Sequence, residues 1–397
     1  MSTQNHQHGI YFGFMTAFLT GLALTIISPV IPFIVEQYTS NTKEQATIMA
    51  LLMSIYALST FVSAPILGSL SDYFGRKPVL ILSLLGSALG YVIFGFGGAI
   101  WILFLGRIIE GISGGEIATI FAYFSDITTK EERIKYFGWL SATVGVGTAF
   151  GPIIGGLLAH FGNSVPFYFG AGITILNACY GYFFMPESLK KKEQTTSFSL
   201  KHFNFLDQLK DVLSLVSVKW LLMAGFFIWL GNGSFQAIFS QFTIDLFQWQ
   251  PALIGLSFSM IGFVDIFVQL ILMPKLINKL SDKQVVLSGV FGEFTGYIVI
   301  GLSAVLKNPI LFLIGLLIFS FGDAIFSPSF NGFLSKSVES KEQGKLQGSS
   351  QSIQALARVI GPLIGGQIYS QIGFSSPAFM SVILILIAIT LFIKKIK

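Results

Sequence analysis

The chain has 397 residues, of which 53% are hydrophobic and 11% charged, with a mean hydropathy of +0.75. No soluble domain of this size has such a composition, and apolar runs recur along the whole length, which points to a polytopic helical membrane protein. The net charge of +5 sits in short loops between those runs and is no sign of nucleic-acid binding, and the single cysteine, Cys179, rules out an intrachain disulfide.

Twelve runs are close to the ~20 residues that a helix needs to cross a bilayer. They are taken as spans 1 to 12, at 10–35, 46–68, 78–97, 100–124, 137–160, 165–185, 219–244, 251–273, 284–306, 309–333, 346–370 and 377–393. Span 1 is too long for a signal core and lacks a basic start, so no cleavable signal peptide is expected.

Spans 2 and 3 are joined by Gly68-Ser69-Leu70-Ser71-Asp72-Tyr73-Phe74-Gly75-Arg76-Lys77-Pro78. The chain must turn back within a few residues there. Gly68 allows close backbone approach, Gly75 a tight turn, and Pro78 suits the first turn of the next helix. This stretch resembles the loop between helices 2 and 3 of the major facilitator superfamily. The resemblance implies that Asp72 and Arg76, with Gly68, Gly75 and Lys77 of the same motif, form a conformational latch.

Span 4 contains Leu105-Gly106-Arg107-Ile108-Ile109-Glu110-Gly111-Ile112-Ser113-Gly114-Gly115, and span 5 contains Gly145-x-Gly147-x-x-x-Gly151-Pro152-x-x-Gly155-Gly156. The small residues of span 5 favour close helix packing, and Pro152 removes one backbone bond and bends the helix. The first motif resembles the span-4 arginine motif linked to proton transfer. The second resembles the span-5 motif of drug/proton antiporters, which separates antiporters from symporters in the superfamily.

Residues 187–217 form the one long polar segment and are expected to be a cytoplasmic linker, with Lys190, Lys191 and Lys192 as a topogenic, lipid-facing cluster. The chain then repeats. Gly151-Pro152-Ile153-Ile154-Gly155-Gly156 returns as Gly361-Pro362-Leu363-Ile364-Gly365-Gly366, and Ser71-Asp72 as Ser281-Asp282, both at an offset of 210 residues. A shared offset implies two six-helix bundles, 1–186 and 218–397, in one orientation. With the loop between spans 2 and 3 in the cytoplasm, Lys43 and Lys307 fall outside and Arg107 and Arg358 within spans. The rest of the 24 Lys and Arg fall inside. That asymmetry predicts both termini in the cytoplasm.

No G-x-x-x-x-G-K-[ST] loop occurs, so ATP hydrolysis is not expected. His6, His8, His160 and His202 lie in the tail, a span end and the linker. No metal site, no cofactor and no enzymatic activity are expected. What remains at membrane depth is a set of charges: Arg107, Glu110 and Glu116 in span 4, Asp265 in span 8, Glu293 in span 9, Asp323 in span 10 and Arg358 in span 11. Each costs at least ~2.5–3.5 kcal/mol unless paired or hydrated, which predicts a polar interior. Arg107 and Glu110, three apart, share a helix face. Acids outnumber bases, and burial favours the neutral form of an unpaired carboxyl group, so these seven residues are the candidates for proton coupling. Glu293 is the leading acid, with Arg358 its expected partner.

Around them run polar stripes. Gln347, Gln351, Gln354 and Arg358 share one face of span 11. Asp265 and Gln269 share a face of span 8, and Glu293 and Tyr297 one of span 9. Span 7 offers Asn232, Gln236, Ser240 and Thr243, with Phe227, Trp229, Phe235 and Phe239 nearby. A substrate cavity is expected at Asn232, Phe235, Gln236, Tyr297, Gln351 and Gln354. Amides mixed with aromatics suit a flat, amphipathic organic ligand.

Phe104-Leu105-Gly106-Arg107, Tyr136-Phe137-Gly138-Trp139-Leu140, the span-5 glycine-proline motif and Gln343-Gly344-Lys345-Leu346-Gln347-Gly348 resemble tetracycline efflux proteins of this superfamily. By that resemblance Glu293 stands where the family carries an essential span-9 aspartate, and Asp265 where one class carries a span-8 histidine. The family's span-1 acid is Thr20 here. Arg358 replaces a small residue, and Glu110, Glu116 and Asp323 are additional, so the substrate's charge is open between tetracyclines and other drugs. The resemblance implies a monomeric, proton-coupled exporter of the inner membrane that works by alternating access. Two rival readings are a proton symporter that imports a metabolite and a membrane sensor that transports nothing.

Overall fold

The computed structural model describes residues 3–114, 116–128, 130–189, 216–337 and 343–395. Most of the expected linker, with Lys190, Lys191, Lys192 and His202, lies outside the described residues. Those described form helices, turns and no strand. Nine of their helices are long and apolar enough to cross a membrane, and the fold is an all-α membrane fold. The expected spans outside the nine have visible reasons. Span 4 is broken in two, span 6 (Val165–Phe184) is diluted by tyrosines, glycines and Asn177, and span 11 (Gln343–Gln371) carries the amide stripe.

Several boundaries differ from expectation. Span 1 is not continuous: a helix over Thr3–Ile26 gives way to a turn at 27–30 and resumes at Ile31–Val35. Pro29 and Pro32 lack the N–H that a helix through this point needs. The helix of span 2 runs from Thr42 to Phe74 and the next starts at Arg76, so the long loop expected at 68–78 shrinks to Gly75. Gly75 has φ +106°, which a side chain rarely tolerates. Gly68 is helical, and a Cβ there would meet nothing within 4 Å, so it is not a point of close approach. Span 4 forms two helices, Ile100–Ser113 and Glu116–Ile127, and the first ends at Gly114. Span 8 holds a π-helical turn over Val268–Leu272, just after Asp265.

Two compact units are present. One draws on residues within 1–38, 55–203 and 250–262, the other on residues within 39–54, 204–249 and 263–397. The segment 39–54 thus groups with the unit that holds most of the second sequence half, and 250–262 with the unit that holds most of the first.

The first unit is built on glycine contacts. Span 5 (Lys130–Leu158, Pro152 inside) lies along span 1. A Cβ at Gly147, Gly151 or Gly155 would overlap the span-1 carbonyls of Phe18, Leu22 or Ile26. Gly156 faces the opposite way, onto the start of span 8 at Pro251 and Ala252. The antiporter-type motif is therefore a two-sided packing surface. In the second unit, Gly361 and Gly365 bring span 11 against span 7 at Ser234, whose hydroxyl donates to the Gly361 carbonyl at 2.8 Å. Spans 9 (Asp282–Leu306) and 10 (Pro309–Ser335) touch backbone to backbone at Gly289, Gly292, Gly296 and Gly322.

Candidate functional site

The contact between spans 9 and 10 fixes the first cluster. Glu293 lies beside Gly322 and is fully buried. Neither of its carboxyl oxygens meets a hydrogen-bond partner in good geometry. The Asn232 amide and the Asp323 carboxyl are the polar groups that act on it, and no cation among the described residues pairs with it. One turn on, the Tyr297 hydroxyl donates to Asn232 Oδ1 at 2.9 Å, and Asn232 Nδ2 donates to Asp323 Oδ1 at 3.3 Å. A chain of tyrosine, amide and acid thus links spans 9, 7 and 10. Gln269 of the π-turn donates to the Ala324 carbonyl at 2.9 Å and to Asp265 at 3.3 Å. Asp265 itself is exposed.

Arg358 does not pair with Glu293. It is exposed, and the acid that it acts on is Asp323. The expected substrate residues also divide. Gln236 and Gln351 are exposed and Asn232 and Gln354 half-buried, so these four are reachable. Phe235 and Tyr297 are buried, and their rings meet edge to face with centroids 5.6 Å apart. They are packing residues and line no accessible surface. Ser240 and Thr243 are likewise buried.

A second cluster occupies the interior of the first unit. Arg107 pairs with Glu110 at 2.9 Å, as their spacing predicted, and its guanidinium lies over the rings of Phe94 and Tyr56, 5.0 and 5.6 Å from the centroids. Glu116, at the start of the second span-4 helix, accepts from the Ser87 hydroxyl. A cavity of ≈ 20 Å³ opens here, lined among others by Thr20, Tyr56, Ser87, Tyr91, Glu110, Glu116 and Asn177.

The third cluster surrounds Gly75. Arg76 is 8% exposed and bonds Asp72 at 2.6 Å, Asp126 at 3.0 Å and the Ser71 hydroxyl at 2.6 Å. The Glu187 carboxylate accepts the backbone N–H groups of Arg76 and Lys77 at 2.9 and 3.1 Å, meeting the open end of the span-3 helix. A Cβ at Gly75 would meet that carboxylate, the movable end of a side chain, so the demand for glycine at position 75 comes from its φ. Among the described residues no group of three or more His, Cys, Asp or Glu is placed to hold a metal ion.

A family model described as Major Facilitator Superfamily matches residues 13–362. The chain belongs to the major facilitator superfamily. Among curated relatives of this facilitator, the tetracycline resistance protein of class C from Escherichia coli is 33% identical over 355 residues, covering 89% of this chain and 88% of that protein. Multidrug resistance protein 2 of Bacillus subtilis is 30% identical over 359 residues, covering 89% and 86%. Solved structures with the same fold include a D-xylose-proton symporter, with TM-score 0.78, 14% identity and coverage of 98% and 97%. A human organic anion transporter has TM-score 0.73, 20% identity and coverage of 98% and 99%.

Within this facilitator's structure, sequence reasoning missed several site residues, Tyr56 and Tyr91 of the span-4 cavity among them. Asp126 and Glu187 reach the Gly75 turn from the ends of spans 4 and 6. Ser87 and Asn177 reach the span-4 cavity from spans 3 and 6. The repeat offset held a signal for one of them. Asp72 and Asp126 correspond to Asp282 and Lys336, which pair with each other at 2.6 Å.

Proposed function

We propose that this protein is a proton-coupled secondary exporter of amphipathic organic compounds, of the tetracycline or multidrug kind. Glu293 carries the reading. It is a fully buried acid with no cationic partner among the described residues, and it lies next to Asn232, whose amide bonds Asp323, close to the reachable polar residues of spans 7 and 11. A charge so placed is costly, and a proton or a cationic portion of a substrate relieves that cost. If the two relieve it in turn, their binding is mutually exclusive, which is the requirement for antiport. The kinship to tetracycline and multidrug resistance proteins supports the direction of transport.

Alternating access then moves the site between the two membrane faces. A membrane potential contributes about 2.3 kcal/mol per proton for every 100 mV, enough to drive a steep drug gradient. Asp72, Arg76, Asp126 and Glu187 act as the latch that holds one state. Both termini lie in the cytoplasm, the protein resides in the cell's inner membrane, and it works as a monomer. It catalyses no covalent chemistry.

The test is growth protection in a strain stripped of its own efflux pumps, across cationic, neutral and zwitterionic compounds. It is paired with tetracycline-dependent proton release from energised inverted vesicles. Protection against at least one amphipathic drug, with proton release, is the expected result. Accumulation of the compounds in the cells would instead point to an importer.

A further inference from the structure

The span-4 cavity holds polar groups that the Glu293 site does not use. Asn177 is fully buried, and the Thr16 hydroxyl lies 3.1 Å from its Oδ1. That donation fixes which end of the amide is the oxygen. The other end, Nδ2, is buried without a partner. The Thr20 hydroxyl, 7% exposed, is unpartnered as well. Both residues line the cavity together with Glu116. An orphaned amide N–H calls for an acceptor and repels a bare metal cation. A water molecule accepts from Asn177 and donates to Glu116, and ≈ 20 Å³ gives it room.

The charged and titratable groups around the cavity are few. Glu110 and Arg107 come from the first half of span 4, Tyr56 from span 2 and Tyr91 from span 3. Spans 1 and 6 contribute the uncharged Thr16, Thr20, Thr174 and Asn177. Arg107 is committed to Glu110, so Glu116 keeps Ser87 as its hydrogen-bond partner and pairs with no cation among the described residues.

We propose that this cavity is a second proton-binding site, in which Glu116 is protonated through a water molecule held by Asn177 and Thr20. The inference rests on the reading of the protein as proton-coupled, and it adds a proton to the cycle. A proton arriving from the aqueous side bonds to the water oxygen as one of the water's own O–H bonds breaks and that proton bonds to a Glu116 carboxylate oxygen, so the water stays neutral and the carboxylate gains the one proton; release reverses these steps.

Infrared difference spectra after an acid jump, recorded on the purified full-length protein in liposomes, test this without a drug. A protonated-carboxyl band is expected that Glu293→Gln spares, Glu116→Gln removes and Glu116→Asp restores. Asn177→Leu should shift that band and leave the others in place, a readout that a merely structural role for Asn177 would not move. With tetracycline as probe, Glu116→Gln should also halve the protons released per drug bound. Loss of every carboxyl band in Glu293→Gln, or a spectrum unchanged by both Glu116→Gln and Asn177→Leu, overturns the proposal. If the Glu116 band is present but none of the compounds of the growth panel, tetracycline included, releases a proton from the wild-type protein, the coupled-export reading fails and the proton site stands.

Discussion

A fully buried carboxyl group without a cation beside it, as at Glu293, is stable when neutral or when a ligand meets its charge. Glu293→Gln keeps the shape and removes the titration. We expect it to abolish proton-driven efflux while leaving exchange of labelled tetracycline down its own gradient. Full coupled activity in that variant would move the site to Asp323. The buried pair Arg107–Glu110 makes a different demand. Arg107→Ala strands a buried carboxylate, which costs about 3–5 kcal/mol. The double variant Arg107→Ala/Glu110→Gln should recover most of the loss, as read from thermal unfolding in detergent. Equal melting points for the single and double variants would mean that the pair is not the source of the stability. Both acids were legible in the sequence, Glu293 because its span holds no other deep charge and Glu110 because three residues separate it from Arg107. The partner of Glu293 was not legible. Helical spacing shows which residues share a face, but not which helix that face meets. Arg358 stands by Asp323 instead, and Asn232 by Glu293.

Helix ends and helix contacts follow local chemistry unevenly. The glycine-proline motif of span 5 was readable as a packing surface, and the structure divides its positions by neighbour. A Cβ at Gly155 would overlap the Ile26 carbonyl, a backbone atom that cannot swing aside, whereas a Cβ at Gly145 meets nothing within 4 Å. Gly155→Ala should therefore lower thermal stability and yield in the membrane, and Gly145→Ala should match the wild type. Equal behaviour of the two variants would show that spans 1 and 5 do not pack as closely as these positions require. The breaks in spans 1 and 4 also have local causes, in Pro29, Pro32 and Gly114. They were hidden by the unbroken hydropathy of those runs. The turn at Gly75 misled for the opposite reason. Its polar residues read as loop, but Asp72 lies in the last turn of one helix and Arg76 opens the next.

At the scale of the whole chain, the offset of 210 residues places Asp72 and Asp126 in register with Asp282 and Lys336. The two halves solve one problem in two ways. In the first, Arg76 lies between two acids and bonds both. In the second, the acid at 126 is replaced by Lys336, which bonds Asp282 directly. The repeat was legible because it is a matter of sequence. That its halves tie the same two helix ends was not, because a lysine in place of an aspartate hides the likeness. The Lys336 and Asp282 side chains are 68% and 45% exposed, so the pair adds little to stability, about 0–1 kcal/mol at most. A contribution to transport must then come through the conformational cycle. Asp282→Lys and Lys336→Asp each put like charges side by side and should slow tetracycline efflux with little change in melting temperature. The double variant Asp282→Lys/Lys336→Asp restores an opposite-charge pair and should recover most of the rate, with recovery declining as salt screens the contact. A double variant as slow as either single one, at low salt and with normal yield, would show that the identity of each side chain matters here rather than their pairing.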